Sequence, residues 1–358
     1  MAYTTIDNPA LFFKTLLWTG DGTSPRTLSG LDFQPDWVWG KRRDDAAGHN
    51  IFDSVRTAGS DKNLQSNSNG AEGSGAPGTY GYLSAFTSDG FTVTAGSSDN
   101  AYWNNNTATY VSWNWLAGGT SVSNGDGDIT STVSANTTSG FSVVKYTGNG
   151  NSSATFGHGL GVKPKIGLLK PTSTTGNWNW WQDTTGNNSA DVRMHIHLTD
   201  ANNSNYPITF NTDTITLPSL ADASWNGNGT EFIFYCFAEK QGYSKFGSYT
   251  GNGNADGTFV YTGFRPAWVI IKQINSTGDW MILDNKRDTD NGVRHQVYAN
   301  STGAESVEGS DRLDFLSNGI KHRSSGGRAN GSSDSYIYMA FAEHPFVTEG
   351  TKAAGTAR

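Results

Sequence analysis

The chain has 358 residues, among them 44 Gly, 12 Trp, 14 Tyr and 18 Phe, and only 16% of its residues are charged. The formal net charge of −7 argues against a nucleic-acid partner, which would need a concentrated basic surface. Aromatic residues suit half-buried strands and Gly suits turns, so the composition favours an all-β protein over a helical or disordered one.

The first eleven residues lie outside any repeated pattern. They contain Pro9, which disfavours helix in the residue before it, and we expect residues 1–11 to form an extended arm. The apolar stretch from Leu11 to Trp18 is short, is interrupted by Lys14 and does not resemble a signal peptide. No run approaches the length of a membrane-spanning helix. We therefore expect a protein made in a cytoplasm that does not insert into a membrane.

The first module, residues 12–117, carries three sequence marks. An aromatic–Thr–Gly–Asp–Gly run predicts a strand that ends in a tight turn, because Gly and Asp tolerate positive φ. A Gly-to-Pro segment then leads into a second strand, and an alternating aromatic strand closes the module. The marks are Trp18-Thr-Gly-Asp-Gly22, the segment from Gly30 to Lys41, and Tyr110-Val-Ser-Trp-Asn-Trp-Leu116.

Charged residues of the first module suggest structural roles. Lys41-Arg42-Arg43 is followed by Asp44, which indicates a solvated strand end. Asp53 and Arg56 are spaced to form an ion pair that braces a loop, and the third module repeats the pair as Asp284 and Arg287. The second module has Asp183 but no such arginine.

Residues 118–140 form a stretch rich in Gly, Ser, Thr and Asn, which is typical of a linker. Within it, Asn124-Gly-Asp-Gly-Asp128 resembles the start of a calcium loop. Ile129 replaces the expected glycine and Ala135 the expected bidentate glutamate, so a turn is the preferred interpretation. Whether calcium binds there stays open.

The second module, residues 141–241, and the third, residues 242–346, repeat the three marks in order, and residues 347–358 form a tail. Trp113, Tyr235 and Met339 align in the closing strands, and we expect all three to be buried. Modules of about a hundred residues with many short strands predict three tandem β-sandwiches of jelly-roll or lectin-like kind. A single large β-solenoid is the alternative. Cys236, the one cysteine, lies in an aromatic run and is expected to be buried and inert.

The segment containing Trp178, Trp180 and Trp181 is the best candidate for ligand binding. Exposed Trp beside Asn is typical of surfaces that stack on sugar rings. Trp178 and Trp180 would share one face of a strand, and Trp181 would lie on the other. The competing interpretation is a core strand.

Other candidates for chemistry are weak. Glu239 and Glu343 occupy equivalent strand ends in separate modules, which does not favour a glycosidase pair across one bond. His195 and His197 would share a strand face, but no third metal ligand can be assigned. We therefore predict no catalytic residues, no metal site and no cofactor.

The sequence resembles a large family of virion proteins of tailed bacteriophages, especially marine ones, described as tail-fibre-like or structural. The resemblance rests on Met1-Ala-Tyr-Thr-Thr-Ile-Asp-Asn-Pro9, the repeated Tyr-Thr-Gly-Asn-Gly runs, Gly242-Tyr-Ser-Lys-Phe-Gly-Ser-Tyr-Thr250 and Tyr336-Ile-Tyr-Met-Ala-Phe-Ala-Glu343. It extends over nearly the whole chain. It implies a particle component, either a fibre or adhesin, or a capsid or tail decoration, and carries over no catalytic residue.

These features together predict a non-enzymatic virion protein that displays repeated β modules for assembly and for binding host-surface glycan. We expect a homotrimer whose arm, residues 1–11, docks on other virion proteins or on a neighbouring subunit. The alternatives are a free carbohydrate-binding protein and a glycan-degrading tailspike.

Overall fold

The computed structural model describes residues 4–220, 222–307 and 312–347. All its sheets are antiparallel, and the described helices are a 3-10 turn, Pro9–Leu11, and two short α-helices, α1 (Pro77–Tyr80) and α2 (Ala223–Asn226). The predicted all-β sandwich class is confirmed. Residues 1–3 and most of the expected tail, 348–358, lie outside the described residues.

The first seven strands are β1 (Phe13–Thr19), β2 (Arg26–Ser29), β3 (Trp37–Arg42), β4 (Asn50–Asp53), β5 (Tyr82–Thr87), β6 (Gly90–Thr94) and β7 (Thr109–Trp115). They form a large sheet in the order β1-β7-β3-β4 and a small sheet in the order β2-β6-β5. We describe each such pair of sheets as one module.

The next ten strands are β8 (Val122–Asn124), β9 (Ser131–Asn136), β10 (Phe141–Thr147), β11 (Thr155–Gly157), β12 (Ile166–Pro171), β13 (Asn179–Gln182), β14 (Val192–His195), β15 (Thr209–Phe210), β16 (Thr214–Thr216) and β17 (Glu231–Phe237). The large sheet has the order β14-β13-β12-β17-β10-β9-β8, and the small sheet β11-β16-β15.

The last nine strands are β18 (Ser244–Thr250), β19 (Phe259–Tyr261), β20 (Phe264–Gln273), β21 (Met281–Asp284), β22 (His295–Tyr298), β23 (Ser306–Val307), β24 (Leu313–Leu316), β25 (Gly319–His322) and β26 (Ser335–Pro345). The large sheet has the order β18-β26-β20-β21-β22-β23, and the small sheet β19-β25-β24.

The three large sheets share one strand order and one register. We call the second mark, the Gly-to-Pro segment with the strand that it leads into, the proline mark. In each large sheet, the closing strand lies between the first strand and the strand of the proline mark. Trp113, Tyr235 and Met339 are buried, as predicted, and they pair with Trp39, Leu168 and Ile270 respectively. The repeated marks therefore occupy equivalent positions in the three sheets.

The inner faces of the three large sheets meet in one central hydrophobic core. Aromatic rings cross every boundary: Trp37 and Tyr235 lie 4.7 Å apart between centroids, Phe237 and Phe341 5.9 Å, and Trp115 and Trp268 5.5 Å. Each module also has its own core between its large and small sheets. The modules therefore surround a common axis, where the sequence alone suggested separate units in tandem.

Main-chain hydrogen bonds repeat around this axis. Each donor lies three residues before β4, β13 or β21, and each acceptor lies in a loop of the neighbouring module. The bonds run from Ala47 N to Thr302 O, from Gly176 N to Asn69 O and from Gly278 N to Thr199 O, each at 2.9 Å. The first module thus bonds the third, the second the first, and the third the second, which closes a ring.

Residues 118–140, which we predicted to be a linker, contain β8 and β9. The strand β9 pairs with β10 along six residues from Ser131 to Asn136, and Val133 is buried in the core of the second module. The segment was mistaken for a linker because Ser, Thr and Asn dominate it, and an edge hairpin exposes such residues without a long apolar pattern.

The described part of the N-terminal arm packs on its own chain. Ile6 is buried in the central core, and Thr4 Oγ1 donates to the carbonyl of Gln241 at 2.6 Å. Thr5, Asp7 and Leu11 are exposed. Residues 4–11, part of the arm that we expected to be extended and to dock on another protein or subunit, are therefore fixed on their own chain, because Ile6 can bury its apolar side chain there.

Candidate functional site

The three tryptophans predicted as ligand-binding candidates lie in the interior. Trp178, Trp180 and Trp181 are all buried. Trp178 and Trp180 face the central core, whereas Trp181 faces the core of the second module, so the predicted alternation of faces is confirmed. A buried indole ring offers no face to a sugar, and the structure therefore supports the core-strand interpretation.

Trp178 also joins two modules. Its position, immediately before β13, is occupied by Trp280 before β21 and by His49 before β4. The ring nitrogens bond main-chain carbonyls of the neighbouring module: Trp178 Nε1 to Gln65 at 2.9 Å, Trp280 Nε1 to His195 at 3.2 Å and His49 Nε2 to Tyr298 at 3.0 Å. These side chains therefore hold the ring of modules together.

A second set of equivalent residues at the boundaries was not predicted. The lysine at the end of the proline mark is buried in all three modules. Its ammonium group donates to a loop carbonyl of the neighbouring module: Lys41 Nζ to Thr302 at 3.4 Å, Lys170 Nζ to Asn69 at 3.2 Å and Lys272 Nζ to Asp200 at 2.8 Å. Lys41 was expected at a solvated strand end. The repetition of lysine in all three marks was the signal that could have identified this position.

Burial disfavours the charged form of these lysines. Burial, together with the nearby charge of Arg56, lowers the pKa of Lys170 to about 7. Burial likewise lowers the pKa of Lys41 and of Lys272, each to about 8. Their ammonium groups are bonded to carbonyls of the protein itself, which makes them structural cations at the module boundaries.

The predicted ion pair of Asp53 and Arg56 is present and buried, with 2.6 Å between Asp53 Oδ2 and Arg56 Nε. The same carboxylate oxygen accepts a hydrogen bond from the Tyr235 hydroxyl of the second module at 2.7 Å. The pair thus braces its own loop and the boundary with the next module.

The third module repeats this arrangement at its boundary with the first. Arg287 Nε lies 2.6 Å from Asp284 Oδ2, which accepts from Trp113 Nε1 at 3.0 Å. Burial alone would raise the pKa of Asp284, but Arg287 and the hydrogen bonds hold it below its usual value. A carboxyl group in this state is a poor general acid.

The second module has Gln182, not Asp183, at the equivalent position. Gln182 pairs with Ile166 as Asp53 pairs with Trp37 and Asp284 with Trp268. The Gln182 amide donates to the Gly247 carbonyl of the third module at 3.2 Å. Asp183, the residue matched from sequence, lies one position later, where its carboxylate accepts backbone N–H groups in a turn. All three module boundaries therefore contain a buried polar group at this position.

The remaining candidates for chemistry are also bonded within the protein. Glu239 contacts Lys165 and Lys245, and Glu343 contacts Arg265. These ion pairs lie in separate parts of the fold and do not place two carboxyl groups across one site.

His195 and His197, which we expected to share a strand face, are not joined by a third metal ligand among the described residues. Arg193 and Asn177 lie within hydrogen-bond distance of His195 Nε2, and its Nδ1 lies 2.7 Å from Asp200. Burial lowers the pKa of His197 to about 4. Throughout residues 4–220, 222–307 and 312–347, no three His, Cys, Asp or Glu side chains are placed to hold a metal ion.

The side-chain oxygens of the calcium-like segment, residues 124–128, also accept hydrogen bonds from the protein itself. Asn124 Oδ1 accepts from Asp126 N at 2.8 Å, and Asp128 Oδ2 accepts from Thr155 N and from Thr155 Oγ1. These contacts describe a turn and its attachment to β11.

Cys236 is buried, and burial raises the pKa of its thiol, which fits the predicted inert role.

A cavity of about 430 Å³ lies between the first and third modules. Its charged side chains include Lys14, which contacts Asp32, and Glu343, which contacts Arg265. Both of these charges are therefore engaged in ion pairs within the protein, and Lys286 and His344 also line the cavity.

The outward faces of the three small sheets differ from one another. On the first strand of each small sheet, the two outward positions are Thr27 and Ser29 in the first module and Thr155 and Gly157 in the second. In the third module they are Phe259 and Tyr261, whose exposed fractions are 43% and 55%. This surface is the candidate binding site. The sequence pattern did not predict it, because Phe259-Val-Tyr261 resembles a core strand.

Comparison with known proteins shows the family of the chain and assigns no function to it. The family model described as "Domain of unknown function (DUF7483)" matches residues 8–345. No curated protein and no solved structure matches the chain. None of the helices that the structure describes could cross a membrane.

Proposed function

The chain belongs to a family of domains of unknown function, DUF7483, and we propose that it is a non-catalytic structural protein of a tailed-phage virion. In this role it is a fibre, adhesin or decoration component that presents its outer surfaces on the particle. The sequence resemblance to tail-fibre-like and structural virion proteins is the basis for the location on a particle.

The observation that carries the structural role is the closed ring of three modules around one aromatic core. Aromatic packing and polar contacts join every pair of modules, as in the contacts of Trp178, Lys170 and Tyr235. The ion pair of Asp53 and Arg56 and the ammonium group of Lys170 are engaged in these boundaries. A closed ring of this kind is rigid and holds the outer surfaces of its modules in fixed positions.

Docking on other virion proteins through the N-terminal arm remains part of the proposal. Because Ile6 is fixed in the core, the parts of the arm open to a partner are its exposed side chains, among them Thr5 and Leu11. A homotrimer, which the resemblance also suggested, is one way in which such chains could assemble.

Particle purification tests the proposal. Phage particles whose genome encodes this chain are banded on a density gradient, washed in high salt and examined by mass spectrometry and immunogold electron microscopy. We expect the chain to remain with intact particles at a defined position. Its recovery only in the soluble fraction of the lysate would refute the virion role and favour a free carbohydrate-binding protein.

Incubation with host surface polysaccharide separates this role from that of a glycan-degrading tailspike. We expect no change in polysaccharide chain length over a day. Shortening that is abolished by one Asp or Glu substitution would replace the structural role with an enzymatic one.

A further inference from the structure

We propose that the outward face of the third module's small sheet binds an uncharged polysaccharide chain. We call this surface the aromatic face; it comprises Phe259 and Tyr261 on β19, Lys321 on β25 and Asp314 on β24. The inference does not rest on the virion role and applies equally to a free protein.

The two aromatic side chains form a platform. Alternate residues of a strand project on the same side and lie about 6.6 Å apart along the strand. Phe259 is opposite Lys321 and Tyr261 is opposite Gly319. A Cβ atom added at Gly319 would come within 2.9 Å of the Phe259 ring, so this ring lies over the glycine and close to the sheet. A ring held in that orientation presents its outer face to solvent.

The fold does not need these aromatic residues. Val260, between them, is the residue of β19 that fills the third module's core, as Leu28 and Phe156 do in the other two modules. The equivalent outward positions of those modules hold Thr, Ser or Gly, and their small sheets form all the same. Two exposed aromatic side chains on one strand face are costly in water and are typical of a binding surface.

Sugar rings fit this platform better than a purely apolar partner does. Pyranose rings stack their C–H faces on aromatic rings while their hydroxyl groups need hydrogen-bond partners at the rim. At the rim, Lys321 Nζ lies 2.8 Å from Asp256 Oδ1, and Arg323 contacts Asp314. Carboxylate, ammonium and guanidinium groups thus border the rings on the same sheet.

The charge balance of the rim selects the class of glycan. Lys321 and Arg323 are each paired with an aspartate, which leaves neither of these two cations free to hold an anionic sugar. Sulfated or uronic polysaccharides would need an unpaired basic surface to replace their counterions. The aromatic face is therefore suited to a neutral hexose or pentose polymer.

Affinity gel electrophoresis tests this inference with soluble polysaccharides cast in the gel. The neutral probes are hydroxyethyl cellulose, xylan, galactomannan and laminarin, and the charged ones are carrageenan and alginate. The variant Phe259→Thr/Tyr261→Ser copies the outward residues of the first module, so it should fold normally. Tyr80→Ser, which removes an exposed aromatic residue of the first module, is the matched control.

We expect at least one neutral polysaccharide to retard the wild-type protein and the Tyr80→Ser variant equally. The double variant should bind it about tenfold more weakly or not at all, because both stacking rings are lost. Circular dichroism and the melting temperature verify that the double variant is folded.

Several outcomes would overturn the inference. They are no retardation by any neutral probe, retardation only by carrageenan or alginate, and retardation that the folded double variant retains. Capture of a protein partner that the double variant loses, with no glycan binding, would assign the aromatic face to protein recognition instead.

Discussion

At the residue scale, the module boundaries depend on single polar side chains placed among aromatic rings. The Tyr235 hydroxyl donates to the ionised pair of Asp53 and Arg56 at 2.7 Å, in a region from which water is excluded. A hydrogen bond to a buried charged group contributes more to stability than one to a neutral carbonyl. Tyr235 therefore links two modules more strongly than its ring packing alone would.

Tyr235→Phe tests this link. The ring and its packing remain, but the buried Asp53 carboxylate loses a donor, and we expect the free energy of unfolding to fall by about 1.5–3 kcal/mol. Tyr249→Phe is the control, because that hydroxyl donates to the neutral Ala329 carbonyl, and its loss should cost about 1 kcal/mol. Urea unfolding measures both. Equal losses in the two variants would contradict a special role for the boundary bond.

Lys170 should make stability depend on pH. Its pKa is about 7 in the folded protein and near 10.4 in the unfolded chain, so between these values the unfolded chain binds more protons. Stability should therefore rise with pH above about 7, by at most ~1.4 kcal/mol per pH unit from this group. Below pH 7 both states are protonated and the full cost of burying the charge is present.

Lys170→Met removes this contribution. Relative to the wild type, we expect the variant to gain stability at pH 6.5 and to lose that advantage by pH 9, as measured by urea unfolding. Lys163→Met, at an exposed lysine, should follow the wild-type pH profile. A Lys170→Met profile parallel to the wild type would show that the buried ammonium is not the titrating group.

The burial of a single residue could be predicted where its residue type has one usual place in a fold. Trp113, Tyr235 and Met339 could be placed in the core because large apolar residues alternate in every closing strand. The burial of Lys41 could not be predicted, since a lysine at a strand end is ordinarily solvated. Its burial depends on a loop more than two hundred residues away in sequence, which no local pattern reveals.

At the element scale, the hairpin of β8 and β9 at the edge of a sheet shows how strands can look like a linker. β9 covers the free side of β10, β8 pairs with β9, and Val122, Ser123 and Thr132 of this hairpin are exposed. The equivalent edges, β1 and β18, have no such hairpin in their sheets. The second module is thus distinguished by a strand pair inserted between modules.

Hydrogen–deuterium exchange distinguishes a strand from a linker. We expect the amides of residues 131–136 to be protected because they are paired with β10, whereas the turn at residues 124–128 should exchange quickly. Mass spectrometry of peptic peptides measures both segments in one experiment. Rapid exchange across all of residues 118–140 would restore the linker interpretation.

The equivalence of the three modules, though not their strand order, was predicted from sequence. The aligned residues of the closing strands, Trp113, Tyr235 and Met339, pair with the equivalent residues Trp39, Leu168 and Ile270. Matching Asp183 with Asp53 failed by one residue, because residue type was matched and not spacing. Gln182 lies twelve residues after Lys170, just as Asp53 follows Lys41 and Asp284 follows Lys272, and a shift of one residue reverses the face of a strand.

At the scale of the whole molecule, one chain provides a threefold arrangement that other proteins obtain from three subunits. Each boundary is heterologous, with different surfaces of neighbouring modules in contact, and three such contacts close the ring. The three modules are covalently linked and their inner faces are already buried. This geometry favours a chain that needs no further copies to cover its aromatic core.

The mass in solution tests this expectation against the homotrimer suggested by the sequence. We expect light scattering after size exclusion to give the monomer mass of 38.4 kDa at micromolar concentration. The apolar inner faces are satisfied within the chain, which leaves no large apolar surface to drive trimerisation. Three times that mass, stable on dilution, would show that the outer faces also form subunit contacts.

The shared core also determines how the molecule should unfold. Independent sandwiches in tandem would melt separately, each with its own transition, whereas modules that share a core lose their inner contacts together. Trp115 contacts Trp268 and Phe341, and Phe237 contacts Phe246, so removing the third module would expose rings of the other two. We expect calorimetry of the whole chain to show one transition with equal calorimetric and van't Hoff enthalpies.

A fragment of residues 1–241 should be insoluble or bind a hydrophobic dye, because inner aromatic residues such as Trp115 and Phe237 have lost partners in the third module. Resolved transitions, together with a soluble and cooperative fragment, would instead mean that each module is stable by itself and that the central core only holds finished modules in place.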